Sequence, residues 1–204
     1  MQMVNRETPI RTVHAADAEL VAGAQGGDAR AFAALVRRYQ DRVFRFVWRL
    51  CGARDEAMDI TQETFMKAHQ ALPAWRPEAQ FCTWLFRIAH NATLDVLRRR
   101  KHLAFVSCDE LASECACPVQ TDPAPLPEQR LADRQRIALL ERALHELPAE
   151  QREILLLREL EDMSYAEIAA TLAIAEGTVK SRLARARSAA LAGYQRHSGG
   201  DRDA

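Results

Sequence analysis

Between His102 and Arg130 the helical apolar periodicity that runs through the rest of this chain stops. Pro118, Pro123, Pro125 and Pro127 exclude a regular helix, because each lacks a backbone N–H and clashes with the carbonyl four residues back. Asp109, Glu110, Glu114, Asp122 and Glu128 add negative charge, with no Lys or Arg before Arg130. An acidic, proline-containing stretch of this kind is a linker, so each flank needs a core of its own.

Both flanks carry helical patterns. Asp28 can cap a helix in which Phe32, Leu35, Val36, Tyr39, Val43, Phe46, Val47 and Leu50 keep helical spacing until Gly52. A second helix, DEAMDITQETFMKAHQAL, stops at Pro73, the loop PAWRPEAQ follows, and a third helix runs from Phe81 to Lys101. Beyond the linker, helices are expected from Leu131 to Leu147 and from Pro148 to Leu160, with Pro148 suited to a first helical position. Strand alternation is missing throughout. The expected fold class is all-α: two small helical domains joined by a flexible acidic linker. The boundaries fall at 1–27 for a polar leader, 28–101 for the first domain, 102–130 for the linker, 131–195 for the second domain and 196–204 for a tail.

The end of the second domain, MSYAEIAATLAIAEGTVKSRLARARSAA, holds the most specific chemistry. Ser164 and Glu167 make a capping box, Tyr165, Ile168, Ala169 and Leu172 share one face, and a turn follows at Ala173 and Ile174. In the next helix Val179, Leu183, Ala186 and Ala190 form a narrow apolar stripe, while Gly177, Lys180, Ser181, Ala184, Arg185 and Ser188 point the other way. Small residues alternating with cations give a thin positive face that can enter a major groove, which is the pattern of a DNA-binding helix-turn-helix. A solvated Arg-rich helix is the plainer alternative.

Charge is distributed accordingly. The chain of 204 residues has 28 Lys and Arg against 28 Asp and Glu, yet Ala31 to Lys101 holds 13 basic against 7 acidic residues, a net of +6. No apolar run reaches the roughly 18 residues of a membrane span, and the first residues carry no signal-peptide apolar core, so a cytoplasmic protein with reduced thiols is expected. Cys108, Cys115 and Cys117 with nearby His102 invite a metal- or thiol-sensing reading, but a C-x-C and one further thiol fall short of paired zinc-site spacing. No cofactor or metal is expected. His69, His90 and His145 stand singly, without a nucleophile or phosphate loop, so an enzyme is the weakest reading.

The third helix makes a family resemblance specific. DITQETFMKA, then Trp84, Ile88, Ala89, Asn91, Asp95 and Arg98 at fixed spacing, then the proline-rich linker and EGTVKSRLARAR resemble the extracytoplasmic-function sigma factors of the bacterial sigma-70 family. The resemblance covers about Ala29 to Gly193, with Cys82 and Ala175 standing where the family often has a polar residue and a proline. It implies an alternative sigma factor that binds core RNA polymerase and directs promoter recognition. Asp59, Gln62 and Glu63 would meet the beta-prime clamp helices, and Arg76, Gln80, Phe81, Asn91, Asp95, Arg98 and Arg99 the minus-10 DNA. Thr178, Lys180, Ser181, Arg182, Arg185 and Arg187 would meet the minus-35 DNA. The beta flap and an anti-sigma factor, often membrane-tethered, are the further partners implied. A stand-alone helix-turn-helix regulator is the competing reading.

Overall fold

The structure is a computed structural model that describes residues 8–77, 79–106 and 128–199, with side chains over 17–77, 79–101 and 134–199. Cys108, Cys115, Cys117 and the prolines of the linker lie outside the described residues, as does the side chain of His102.

The first domain contains four helices. Helix α1, Thr8–Gln25, occupies most of the segment expected to be a polar leader, so that boundary is corrected. The sequence there shows little amphipathic contrast, and the helix is held by tertiary contacts instead. Val21 enters the core, and the buried Asp17 accepts hydrogen bonds from the Tyr39 hydroxyl and the Arg38 guanidinium. Burial and the bond to Asp17 push the Tyr39 phenol far above its ordinary range. Helix α2, Ala29–Cys51, begins at Asp28, whose side chain accepts from the Arg30 N–H at 2.8 Å. Its stripe of Leu35, Tyr39, Val43, Phe46, Val47 and Leu50 is buried as expected. It ends at Gly52, whose φ of 78° is a left-handed conformation that costs glycine nothing.

Helix α3, Arg54–Ala71, buries Ala57, Ile60, Phe65 and Ala68 and stops in a short 3-10 turn, Leu72–Ala74. Thr61 and Thr64 also face inward, where their hydroxyls donate to the carbonyls of Ala57 and Ile60 at 2.6 and 2.7 Å. Those bonds remove the penalty of a buried polar group. Helix α4, Phe81–Val106, passes the expected end at Lys101 by more than a turn. Every residue from 81 to 86 is buried, a pattern that a helix covered on one side cannot give.

In the second domain, helix α5, Glu128–His145, leads into α6, Ala149–Leu155, which continues as a π turn, Leu156–Leu160. Pro148 takes the cap position, one residue before the expected first helical one. Helices α7, Tyr165–Leu172, and α8, Glu176–Gly199, complete it. Ile154, Leu157, Ile168, Val179, Leu183 and Ala186 form its core, each side chain larger than alanine contributing about 1.5–3 kcal/mol by burial. Gly193 lets α8 approach α5, because a Cβ there would lie 3.2 Å from that of Ala143.

The expectation of two tethered helical domains did not anticipate their packing. Helix α4 lies against α7, and α2 meets α6, so one buried cluster spans both domains. That second layer is why the first turns of α4 are buried all round. Polar groups pair across the seam: Arg42 with Glu161 at 2.7 Å, Arg49 with Glu141 at 3.1 Å, and the Thr83 hydroxyl with Glu167 at 3.4 Å. His90 Nδ1 and a Glu153 carboxylate oxygen, both buried, lie 3.3 Å apart without hydrogen-bond geometry.

Candidate nucleic-acid interface

Helices α7 and α8 form the expected helix-turn-helix. The Ser164 hydroxyl accepts from the Glu167 N–H at 3.2 Å, and the Glu167 carboxylate accepts from the Ser164 N–H at 2.8 Å, completing the capping box. The turn pivots on Ala173, which adopts a left-handed φ of 53°. On α8, Val179, Leu183 and Ala186 are buried, and the stripe continues through Gly193, with Ala190 only half-buried. Gly177, Lys180, Ser181, Ala184, Arg185 and Ser188 are all exposed on the opposite side.

The six candidate minus-35 residues do not stand alike. Lys180, Ser181 and Arg185 project from the exposed face, with Arg185 Nε donating to the Ser181 carbonyl at 3.3 Å. Thr178 is half-buried, and its carbonyl accepts from the Ser181 hydroxyl at 3.1 Å. Arg182 and Arg187 turn back to acidic groups on the preceding elements, Arg182 to Glu150 at 3.2 Å and Arg187 to Glu159 at 2.6 Å. The hydrogen bonds that Arg187 donates to Glu159 raise its pKa further. Spacing along α8 could not reveal this, because both carboxylates come from outside the helix.

In the first domain Arg76 and Gln80 are exposed on the loop before α4, and Asn91, Asp95, Arg98 and Arg99 are exposed or nearly so along α4. Phe81 differs from the other candidates: it is 5 % exposed and packs edge-on against Tyr39 and Trp75 and tilted against Trp84, so its ring anchors the loop. The cation run is divided as well. Arg98 lies 3.5 Å from Asp95, whereas Arg100 binds Glu56 at 3.3 Å and donates to the Cys51 carbonyl, closing the end of α2. Since α4 continues to Val106, these cations do not cap its C-terminus.

One residue that matters here left no signal in the sequence. The Gln25 side-chain amide donates to the carbonyls of Leu72 and Trp75 at 3.0 and 2.7 Å, fixing the start of the loop from α1. Asp59, Gln62 and Glu63 are exposed on α3 as expected, with Glu63 paired to Lys67 at 2.7 Å. They are flanked by exposed Met58 and Met66, and an open groove of about 570 Å³ between α2 and α3 is lined by Phe32, Val36, Phe65, Met66 and His69. Cys82, buried beside the seam, has its thiol pKa pushed up by burial and by Glu167, so it stays protonated. Among the described residues no group of His, Cys, Asp and Glu could hold a metal ion, and no helix is long and apolar enough to cross a membrane.

Comparison with known families decides the assignment. Residues 35–103 match the model of sigma-70 region 2 and residues 137–189 that of sigma-70 region 4. The chain is 36% identical to the RNA polymerase sigma-H factor of Pseudomonas aeruginosa over 85% of its own length and 91% of that relative. The chain belongs to the ECF sigma factors. It is also 39% identical to the ECF RNA polymerase sigma factor SigE of Mycolicibacterium smegmatis over 75% of this chain, spanning 57% of that protein. Among solved structures, the sigma factor RpoE of Bartonella quintana, determined in complex with the anti-sigma factor NepR, superposes with a TM-score of 0.67 at 26% identity. That alignment covers 82% of this chain and 98% of RpoE. The region 2 match falls on α2 to α4 and the region 4 match on α5 to α8 of this sigma factor.

Proposed function

We propose that this ECF sigma factor binds core RNA polymerase through the exposed face of α3 and reads promoters through two separate surfaces. The observation that carries the proposal is the exposed small-and-cationic face of α8, opposite the buried Val179, Leu183 and Ala186. Ser181 and Arg185 at its centre would meet base edges of the minus-35 element, where an Arg can hold guanine bidentately. Lys180 on the flank would meet phosphate, and Arg182 and Arg187 would do so only by exchanging their carboxylate partners.

For the minus-10 element, the exposed amide of Asn91 on α4 is suited to an unpaired base, whose Watson-Crick edge an amide can read once it leaves the stack, and the exposed Arg76 and Gln80 on the loop before α4 would add contacts to the same strand. Asp59, Gln62 and Glu63, with the two flanking methionines, would dock on the beta-prime clamp helices. A second apolar groove of about 420 Å³ on the region 4 domain, lined by Ile137, Leu140, Leu144 and Leu160, supports docking of the beta flap. Control by an anti-sigma factor is supported by the likeness to RpoE in its anti-sigma complex. The bond-making chemistry then belongs to the polymerase, and the place of work is the cytoplasm.

The test is transcription from a random promoter library by core polymerase with and without the purified chain. Enrichment of templates sharing two elements at fixed spacing is expected, and an unchanged template distribution would overturn the proposal.

A further inference from the structure

We infer that Gln25, the last residue of α1, is a positioning residue for promoter opening, which sets the loop before α4 in the shape that receives the unpaired base. The inference rests on the promoter-reading function proposed above. It adds to that function a residue of α1, a helix that lies wholly before the 35–103 match to region 2.

The Gln25 amide nitrogen donates to the Leu72 carbonyl at 3.0 Å and to the Trp75 carbonyl at 2.7 Å. A side-chain amide has one hydrogen for each of these bonds, so its whole donor capacity goes to this one loop. The Leu72 carbonyl also accepts from the Trp75 N–H at 3.0 Å, the bond that closes the 3-10 turn Leu72–Ala74. Gln25 therefore ties both ends of that turn. At Trp75 the backbone leaves the turn extended, with φ of −68° and ψ of 135°, and runs on to Arg76 and Gln80. The orientation of the Trp75 peptide thus sets the direction in which the exposed loop departs.

The donor is itself held at two points. Asp17, 4 % exposed, accepts from the Tyr39 hydroxyl and the Arg38 guanidinium, which fastens α1 to α2, and Val21 enters the core one turn later. Just after Gln25, the Gly26 and Asp28 N–H groups donate to the carbonyls of Ala22 and Gly23 at 3.1 and 3.0 Å, which closes the end of α1. The Trp75 ring rests against Phe81 and Trp84, but apolar contact has little directionality, whereas a hydrogen bond orients the carbonyl that accepts it. Gln25 supplies the orientation that the aromatic cluster does not. Neither of its bonds belongs to the hydrogen-bond ladder of a helix, and carbonyls that lose a donor at a part-buried site can turn to water. What is lost without the donor is the fraction of molecules whose loop is already set, and binding of the unpaired base falls with that fraction. Binding of duplex DNA by α8 does not involve this loop.

The test compares the full chain with two variants, on core polymerase and a promoter recovered from the random library. Gln25→Met keeps the length and helix propensity of the side chain and removes its donors, while Gln25→Lys keeps donors. Gln25→Met should slow open-complex formation about tenfold with closed-complex affinity within about twofold of wild type, and Gln25→Lys should recover most of the rate. In the free chain, hydrogen exchange at the Trp75 N–H should quicken about tenfold in Gln25→Met, while the amides of α2 and α4 keep their wild-type rates. Unchanged exchange at Trp75 would overturn the inference. Equal losses in both promoter steps, weakened protection throughout α2 and α4, or a Gln25→Lys as slow as Gln25→Met would overturn it too, since each describes a general loss of packing. Quickened exchange at Trp75 with no promoter opened by any form, wild type included, would confirm the hold of Gln25 on the loop and sink the proposed function instead.

Discussion

In α8 the side chains proposed to meet DNA stand on one continuous helix face, whereas in the first domain they gather from a loop bearing Arg76 and Gln80 and from Asn91 on α4. The helix face needs only its own periodicity and a buried stripe beneath it. The loop needs outside support, and receives it from Gln25 on α1 and from the rings of Trp75, Phe81 and Trp84. The difference follows from the proposed targets. A rigid positive face suits edges already displayed in a groove, while a base leaving the stack requires a held but open surface.

The sharpest way to break this comparison is at Phe81. As an anchor in the aromatic cluster, Phe81→Ala should cost about 3–5 kcal/mol of stability in urea denaturation. A stability change under about 0.5 kcal/mol would return Phe81 to the DNA-facing set. Next in size is the separation of bases from phosphates on α8. Arg185→Ala should lose about 1–3 kcal/mol of discrimination at one or two base pairs of the minus-35 element. Lys180→Ala should weaken all promoters alike and reduce the salt slope by about one. Titrations on single-base promoter variants at two salt concentrations measure both, and exchanged behaviour would reverse the orientation of α8 in the groove.

On the loop side, Asn91→Ala should leave stability within about 0.5 kcal/mol, since the residue is exposed, and should lower open-complex formation more than closed-complex binding. Equal losses in both steps, followed by permanganate footprinting, would place Asn91 outside the unpaired-base site. A smaller effect sharpens the helix side. Ala173 occupies a left-handed turn between α7 and α8, so Ala173→Gly should stabilise the chain by up to about 1 kcal/mol in the same denaturation assay.

The smallest effect concerns how the far end of α8 is moored. Bonds from Arg196 and His197 lower the pKa of exposed Glu146 below its ordinary 4.5. An acid whose folded pKa is depressed contributes stability above its unfolded pKa and loses it as pH falls through the folded value. The melting temperature of Glu146→Gln should therefore lie slightly below wild type near neutrality and converge with it below pH 4.5. A constant offset down to low pH would assign the difference to packing.

What the sequence determined by itself is what local chemistry controls. The caps at Asp28 and at Ser164 with Glu167, the stop at Gly52, the buried stripe of α2 and the exposed face of α8 each depend on residues within a few turns of one another. Fold class and the helix-turn-helix were legible for that reason, and the motif order made the family legible. The tertiary structure decided the rest, because the deciding partners lie far apart along the chain. Gln25 reaches Trp75 across 50 positions, and Arg42 reaches Glu161 across 119. The burial of Phe81, the turning of Arg182 and Arg187 toward Glu150 and Glu159, and the closure of one domain on the other follow from such contacts. Helical spacing names the face a side chain occupies, but only the neighbour brought to that face determines whether it meets solvent, a carboxylate or another domain.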